Sequence, residues 1–399
     1  MKIAKIEDFH ADGGWRTLSF LKITTDDGLV GWSEYSQGFG VGGVTELIHK
    51  FAPLAKMFDP RDVGVMGESL RSHTRIVSGA ITHQAVAAIE NACLDIKAKA
   101  LGVPVYSLFG GPFRDRLTLY WSHCGSMRAW NPDLWEKEFK RPPIRSLDDL
   151  KELGREAVRR GFKAIKTNPM TFKPGQIGFN AGVRMAPGFL DRNLDRRVLA
   201  QFVEQLAAQR DGIGPDTGLM FDLNFGLRTE GFIRVAKALE QFDMTWLEID
   251  MHDPEGLAQV RRSSSTPITS LESLHGLRHY RPYFENQSVD VAVVDVPWNG
   301  VWESVRIATL AEAYEVACAP HNFYGHLASL MSAHFCASIP NFRIMEYEVD
   351  DVPWKDELVT IPPVVENGEL ILPKGPGWGA DVNEEALKAH PPRGRPKAA

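Results

Sequence analysis

A parallel α/β barrel joined to an α+β domain is the fold class that three features of the sequence predict. Short apolar runs alternate with amphipathic helical stretches from about residue 117 onward. The later strand-plus-helix units repeat every 23 to 26 residues. The residues before 117 have a different texture, a hairpin followed by helices.

In chain order, the segment 18–35 carries two apolar runs around Thr25-Asp26-Asp27-Gly28, a hairpin turn. Across 85–101, Val86, Ile89, Cys93, Ile96 and Ala100 recur at three- and four-residue steps, which predicts a helix. Gly102 stands where a helix commonly stops, and Pro104 prevents continuation. Gly110-Gly111-Pro112 then reads as a hinge, so the first domain is placed at 1–116. The barrel follows at 117–352, with eight candidate strands at 117–121, 164–166, 219–221, 245–247, 267–271, 289–294, 316–319 and 342–345. Among the helices between them, 232–242 places Phe232, Val235, Ala236, Leu239 and Phe242 on one face. The observed repeat is close to the minimum for a βα unit of a barrel, whose average is roughly 30 residues. Residues 169–197, containing Gly, Pro and Met, form an insertion of a length usual for a lid or a subunit contact. The segment 353–399 returns to short strands, one at 370–372, and ends in a polar, Pro-rich tail expected to be disordered.

Composition narrows the partners. The chain is 44% hydrophobic with a formal net charge of −6, an ordinary balance for a soluble globular protein. Without a lysine/arginine stripe, neither nucleic acid nor an anionic membrane is an expected partner. No apolar run approaches the ~18 residues of a membrane span, and the charged amino terminus lacks the apolar core of a signal peptide. Cys93, Cys124, Cys318 and Cys336 are scattered, which predicts reduced core residues and a cytoplasmic location.

The chemistry stands at the ends of the late apolar runs. Asp222, Glu248, Glu272, Asp295, His321 and Glu346 each follow one run and recur at the barrel period. Successive βα loops of a barrel open onto one face, so these side chains are expected to meet there. One acid after an apolar run is an ordinary loop or helix-cap residue; six in succession point to a common site. Converging carboxylates repel one another unless a cation neutralises them. Asp222, Glu248 and Glu272 on three consecutive strands suit a hard, oxygen-preferring ion, which points to Mg²⁺. His321 and Asp295 end adjacent strands at one level, and a carboxylate on one imidazole nitrogen makes the other a general base. Lys166, ending the second run, reaches for the same centre or is a solvated strand-end lysine.

With these residues in place, the chain resembles the mandelate racemase group of the enolase superfamily, and within it the galactonate dehydratase-like acid-sugar dehydratases. The stretch Ala88-Ile89-Glu90-Asn91-Ala92-Cys93-Leu94-Asp95-Ile96, then Leu108-Phe109-Gly110-Gly111, looks like the family's approach to its first barrel strand. The resemblance implies a modified TIM barrel, (β/α)7β, under an α+β cap built from the N-terminal region and the C-terminal segment. It maps the three metal carboxylates onto Asp222, Glu248 and Glu272, the Asp–His dyad onto Asp295 and His321, and the final-strand glutamate onto Glu346. It implies Mg²⁺ on a substrate carboxylate, removal of the α-proton and elimination of the β-hydroxyl to give a 2-keto-3-deoxy acid. The implied substrate is a small sugar acid, and homo-oligomers are common in the group.

Departures from the family pattern qualify that expectation. Asn168 replaces the second lysine of the racemases' Lys-x-Lys motif, which disfavours two-base racemisation. Asn224 replaces the histidine that serves galactonate dehydratase-like members as acid, and an amide donates no proton near neutral pH. The acid is therefore open among His321 in a syn elimination, Lys166, and His326, which is equally a capping residue of the next helix. Glu248-Ile249-Asp250 stands where the family usually has Glu-Glu-Pro, so the surroundings of that ligand differ. His10, Trp15 and Arg16, read as a first loop of the cap, are candidates for gripping substrate or belong to a surface turn. The insertion carrying Lys173, Arg184 and Met185 adds a lid or a subunit contact, and His123 after the first barrel strand touches substrate or packs in the core. A racemase, epimerase or cycloisomerase with the same first step, or a barrel that only binds an acid sugar, are the alternatives.

Overall fold

The computed structural model describes residues 1–37, 42–76, 79–173, 176–179 and 192–393. Its first part is an antiparallel meander, β1 (Ile3–Gly13), β2 (Arg16–Thr25) and β3 (Val30–Tyr35), backed by three helices. These are α1 (Val44–Ala55), α2 (Val63–Ser72) and α3 (Ala80–Leu101). α3 is buried over most of its length, which is why its sequence is apolar or small on nearly every face. It stops as expected at Gly102, whose φ of 69° is a left-handed C-terminal cap. β3 crosses it at Gly31, where any Cβ would stand 2.2 Å from the Ala92 carbonyl oxygen; only glycine fits.

Eight parallel strands follow: β4 (Arg116–Ser122), β5 (Ala164–Thr167), then β8 (Gly218–Asp222), β9 (Trp246–Glu248), β10 (Ile268–Ser270), β11 (Val291–Asp295), β12 (Ala317–His321) and β13 (Met345–Glu348). Between β5 and β8 a short antiparallel hairpin, β6 (Met170–Lys173) and β7 (Gln176–Phe179), opens the predicted insertion. The rest of the insertion, with Arg184 and Met185, and the side chain of Lys173 lie outside the described residues. β13 pairs with β4, while Cys318 on β12 bonds to Asn341 and Arg343 just before β13, bringing the ends of the sheet round toward each other. Each predicted strand is present within a few residues. The largest offset is the last, which begins at Met345 because 341–343 runs beside β12 first.

The C-terminal segment folds back on both parts. β14 (Val365–Glu366) and β15 (Glu369–Ile371) extend the sheet antiparallel to β4. Trp378 donates from its backbone to Asp95 of α3 and from its indole to the Trp32 carbonyl of β3. All four cysteines are free and buried, as expected. Among the described residues no helix is long and apolar enough to cross a membrane.

Candidate active site

Strand alternation places the site. Tyr120, Ala164, Met220, Trp246, Ala319 and Ile344, together with Val291, form one apolar cluster, the plug of the barrel. Large Trp246 and Tyr120 are offset by small Ala164 and Ala319, which lets one layer fill the bore. Because the side-chain period of a strand is two, the next inward residues are Ser122, Lys166, Asp222, Glu248, His321 and Glu346. All six are buried, and they form a polar layer at the carboxyl ends of the strands. Neighbouring registers pair Asp222 with Glu248 and Asp295 with His321.

On one side of this layer carboxylates crowd together. Burial raises Glu248 well above the usual carboxylate range, with Lys166 opposing and Asp222 and Glu272 reinforcing. Burial likewise raises Asp222, whose oxygens accept from Asn168 Nδ2 at 3.0 Å and from the Asn224 backbone at 2.8 Å. Asn168 and Asn224 thus position a carboxylate, and neither supplies an acid. Lys166 Nζ lies 2.8 Å from Glu346 and 3.2 Å from Glu248 Oε2. Burial works against its charge, but these two carboxylates hold it well above the usual lysine range. Glu346 in turn accepts from Ser122 at 2.5 Å and the Asn322 backbone at 2.6 Å. Although burial opposes it, Lys166 and His321 keep Glu346 ionised, down to about 2.

Do these residues suit a divalent cation? Glu248 Oε2 is buried without a hydrogen bond, although near Lys166, and both oxygens of neighbouring Asp250 lack a partner. The donor set is all oxygen, which fits Mg²⁺ better than zinc or copper. Among the described residues no three such side chains already surround one point, so the ligands are gathered but not closed into a coordination sphere.

Opposite stands the base. His321 Nδ1 is 2.7 Å from Asp295 Oδ2, and Nε2 lies 3.3 Å from Glu272. Asp295 is further fixed by the Trp298 backbone at 2.7 Å and by the Tyr324 hydroxyl at 2.5 Å. Burial raises Asp295 to about 6, while His321 opposes. For His321 burial works toward the neutral form, yet Glu272 and Asp295 outweigh it and hold the ring up at about 10. Glu272 acts on the ring by its charge, and Asp295 by both a hydrogen bond and its charge. Tyr324 carries no sequence motif; its position three residues after His321 is the one signal that pointed to it.

Two strands along from His321, past β13, His123 follows β4 with φ 50° and places Nδ1 2.6 Å from Glu348 Oε2. Among the described residues its Nε2 has no partner. Trp15, at the β1–β2 turn, packs edge-on to His123 at 5.9 Å and stacks on Phe323 at 5.7 Å. Phe323 also touches the His321 ring at 4.8 Å, so one aromatic lies between the two histidines. Of the three cap candidates, Trp15 is the one whose ring packs against His123 and Phe323.

Three other candidates lie elsewhere. His10 is not in a loop: it sits within β1, bonded to Ser19 and Asp8 at 3.0 Å each, because the hairpin pairing runs out to Gly13 and Arg16. Arg16 is not exposed; it is buried against Asp351 at 2.7 Å and donates to the Tyr324 carbonyl at 3.1 Å. His326 is the first residue of the helix His326–Ser338, whose cap is Gly325, and its side chain bonds Asp356 at 2.6 Å in the C-terminal segment, so it does not cap the helix. The cap does reach the catalytic loop, but through Glu34, which accepts from the Gly325 and Ala328 backbones at 2.6 and 2.9 Å.

The Arg16–Asp351 pair makes a stability prediction. Burial opposes it, but Arg16 and Lys355 hold Asp351 down at about 2. A depressed carboxylate stabilises the fold above its unfolded pKa, and that stability is lost as pH falls through the folded value. Asp351→Asn strands a buried guanidinium and is expected to cost ~3–5 kcal/mol at neutral pH. Melting curves should show the gap to the unsubstituted protein narrowing as pH is lowered from ~4 to ~2.

Comparison with known proteins agrees with this architecture. Residues 149–386 match the family described as enolase C-terminal domain-like, and residues 13–110 match the mandelate racemase/muconate lactonizing enzyme N-terminal domain. The D-xylonate dehydratase of Haloferax volcanii is 28% identical over 98% of this chain and 89% of its own length. A D-galactonate dehydratase family member from Streptomyces bingchenggensis is 29% identical over 94% and 90%. A crystal structure from Burkholderia xenovorans strain LB400, provisionally named an L-alanine-DL-glutamate epimerase and bound to magnesium and fumarate, superposes with a TM-score of 0.92. It is 43% identical and covers 98% of this chain and 96% of that one. With both domains matched and the barrel-mouth residues in place, the chain belongs to the mandelate racemase/muconate lactonizing enzyme group of the enolase superfamily.

Proposed function

We propose that the protein is a Mg²⁺-dependent dehydratase that converts a sugar acid to a 2-keto-3-deoxy acid. The observation that carries this reading is the pair of carboxylate-oriented histidines, His321–Asp295 and His123–Glu348, which stand two strands apart at a carboxylate-lined mouth with Phe323 against both rings. Asp222, Glu248 and Glu272 would hold the cation. When bound, Mg²⁺ supplies positive charge to the substrate carboxylate and so acidifies the adjacent C–H. With its charge offset by that cation, Glu272 would favour the protonated form of His321 less, leaving Asp295 as the partner of the ring.

His321 Nε2 then takes the α-proton, and Asp295 with Tyr324 keeps the ring aimed and stabilises the imidazolium that forms. His123 Nε2 delivers a proton to the departing β-hydroxyl, which leaves as water; Glu348 orients that ring. The enol left behind tautomerises to the keto acid. This fills the acid role that Asn168, Asn224 and His326 do not supply. Lys166, clamped between Glu346 and Glu248, remains a fixed positive charge.

Epimerisation is the second reading, favoured by the name of the 43% identical structure. It requires a base on the opposite face, and the protonated, doubly paired Lys166 is poorly suited to that task. A panel of aldonic and aldaric acids with Mg²⁺, read by semicarbazide absorbance, is expected to give a 2-keto-3-deoxy product that EDTA abolishes. Racemised or epimerised acid without keto product would transfer the assignment to the second reading.

A further inference from the structure

Asp250 stands two residues past Glu248, where β9 has just ended, and is 2% exposed. Neither of its carboxylate oxygens has a hydrogen-bond partner. Its backbone N–H donates to the Asn224 carbonyl at 3.1 Å, which ties it to the loop that positions Asp222. The charges of Glu272, Asp222 and Glu248 all act on it, and Glu272 is within hydrogen-bonding reach. A buried carboxylate without a donor is costly, and three like charges around it add to the cost. Two arrangements relieve it: a proton shared with Glu272, or a cation shared with all of them. A shared proton satisfies one oxygen of each acid and leaves the second oxygen of Asp250 without a donor. A cation gathered by Asp222, Glu248 and Glu272 would offset the charge of Asp250 as well.

We propose that Asp250 is a fourth carboxylate of the divalent-cation site, beside Asp222, Glu248 and Glu272, and that it raises the affinity of the site for Mg²⁺. This rests on the cation reading above. It gives a physical role to the departure at Glu248-Ile249-Asp250, where the extra acid adds negative charge next to the ligands without joining the proton-transfer groups. Hard oxygen donors of this number also suit Ca²⁺, which accepts more than six ligands, so Ca²⁺ is expected to compete at the same place.

The test uses the full chain stripped of metal and titrated with MgCl₂ alone, by calorimetry and by the Mg²⁺-dependent rise in melting temperature. Asp250→Asn keeps the shape and removes the charge; Asp250→Ala is carried in parallel, and Glu248→Gln is the control. The expected result is a dissociation constant raised ~10- to 100-fold in both Asp250 variants, and no measurable binding in Glu248→Gln. Without Mg²⁺, Asp250→Asn is expected to melt no lower than the unsubstituted chain, since an unpaired buried charge has been removed. Unchanged Mg²⁺ affinity in both variants would overturn the proposal and leave Asp250 as the neutral partner of Glu272. If the unsubstituted chain shows neither heat nor a melting shift, the cation reading itself fails, an outcome distinct from failure of Asp250 alone.

Discussion

His321→Asn is expected to lower turnover by roughly 10²- to 10⁴-fold, the usual contribution of a positioned general base. Asparagine keeps a donor toward Asp295 but accepts no proton at neutral pH. Because Asp295 is held independently by Trp298 and Tyr324, the loop is expected to stay in place, so the loss reports chemistry and not unfolding. Exchange of the substrate α-proton in D₂O, followed by NMR, should fall by the same factor as turnover. Exchange that persists at the original rate in the variant would remove His321 from the base role.

The second large effect separates two steps. His123→Asn is expected to lower product formation by roughly 10²-fold or more while α-proton exchange stays within about threefold. The proton still leaves the α-carbon, but the β-hydroxyl has lost its donor and the intermediate returns. Glu348 contacts His123 at 2.6 Å, so Glu348→Gln should produce a weaker version of the same split. If exchange and product fall together, His123 shapes the site without donating. If neither changes, the acid is His321 itself, acting on one face.

Both predictions depend on residues whose visibility in the sequence differed for physical reasons. The strand ends were legible because a barrel strand buries alternate residues and then terminates in one polar group, at a constant period. Asp222, Glu248, Asp295, His321 and Glu346 all follow from that rule, and Lys166 from the same alternation on β5. Arg16 was not legible, since its partner Asp351 is 335 residues away and nothing local marks the pair. His10 was misplaced because the β1–β2 register, with Gly13 opposite Arg16, is longer than its apolar pattern. His326 and His123 are alike as lone histidines near strand ends; only the third dimension shows one turned to Asp356 and the other over the mouth. Asp250 reads as an ordinary loop acid until its burial is known.

The most direct measurement is the acid panel run in D₂O with Mg²⁺, with product and remaining substrate both examined by NMR. The account predicts a 2-keto-3-deoxy acid carrying solvent deuterium at C3, from protonation of the enol after water has left. Remaining acid deuterated or inverted at C2, with no keto acid formed, would contradict it.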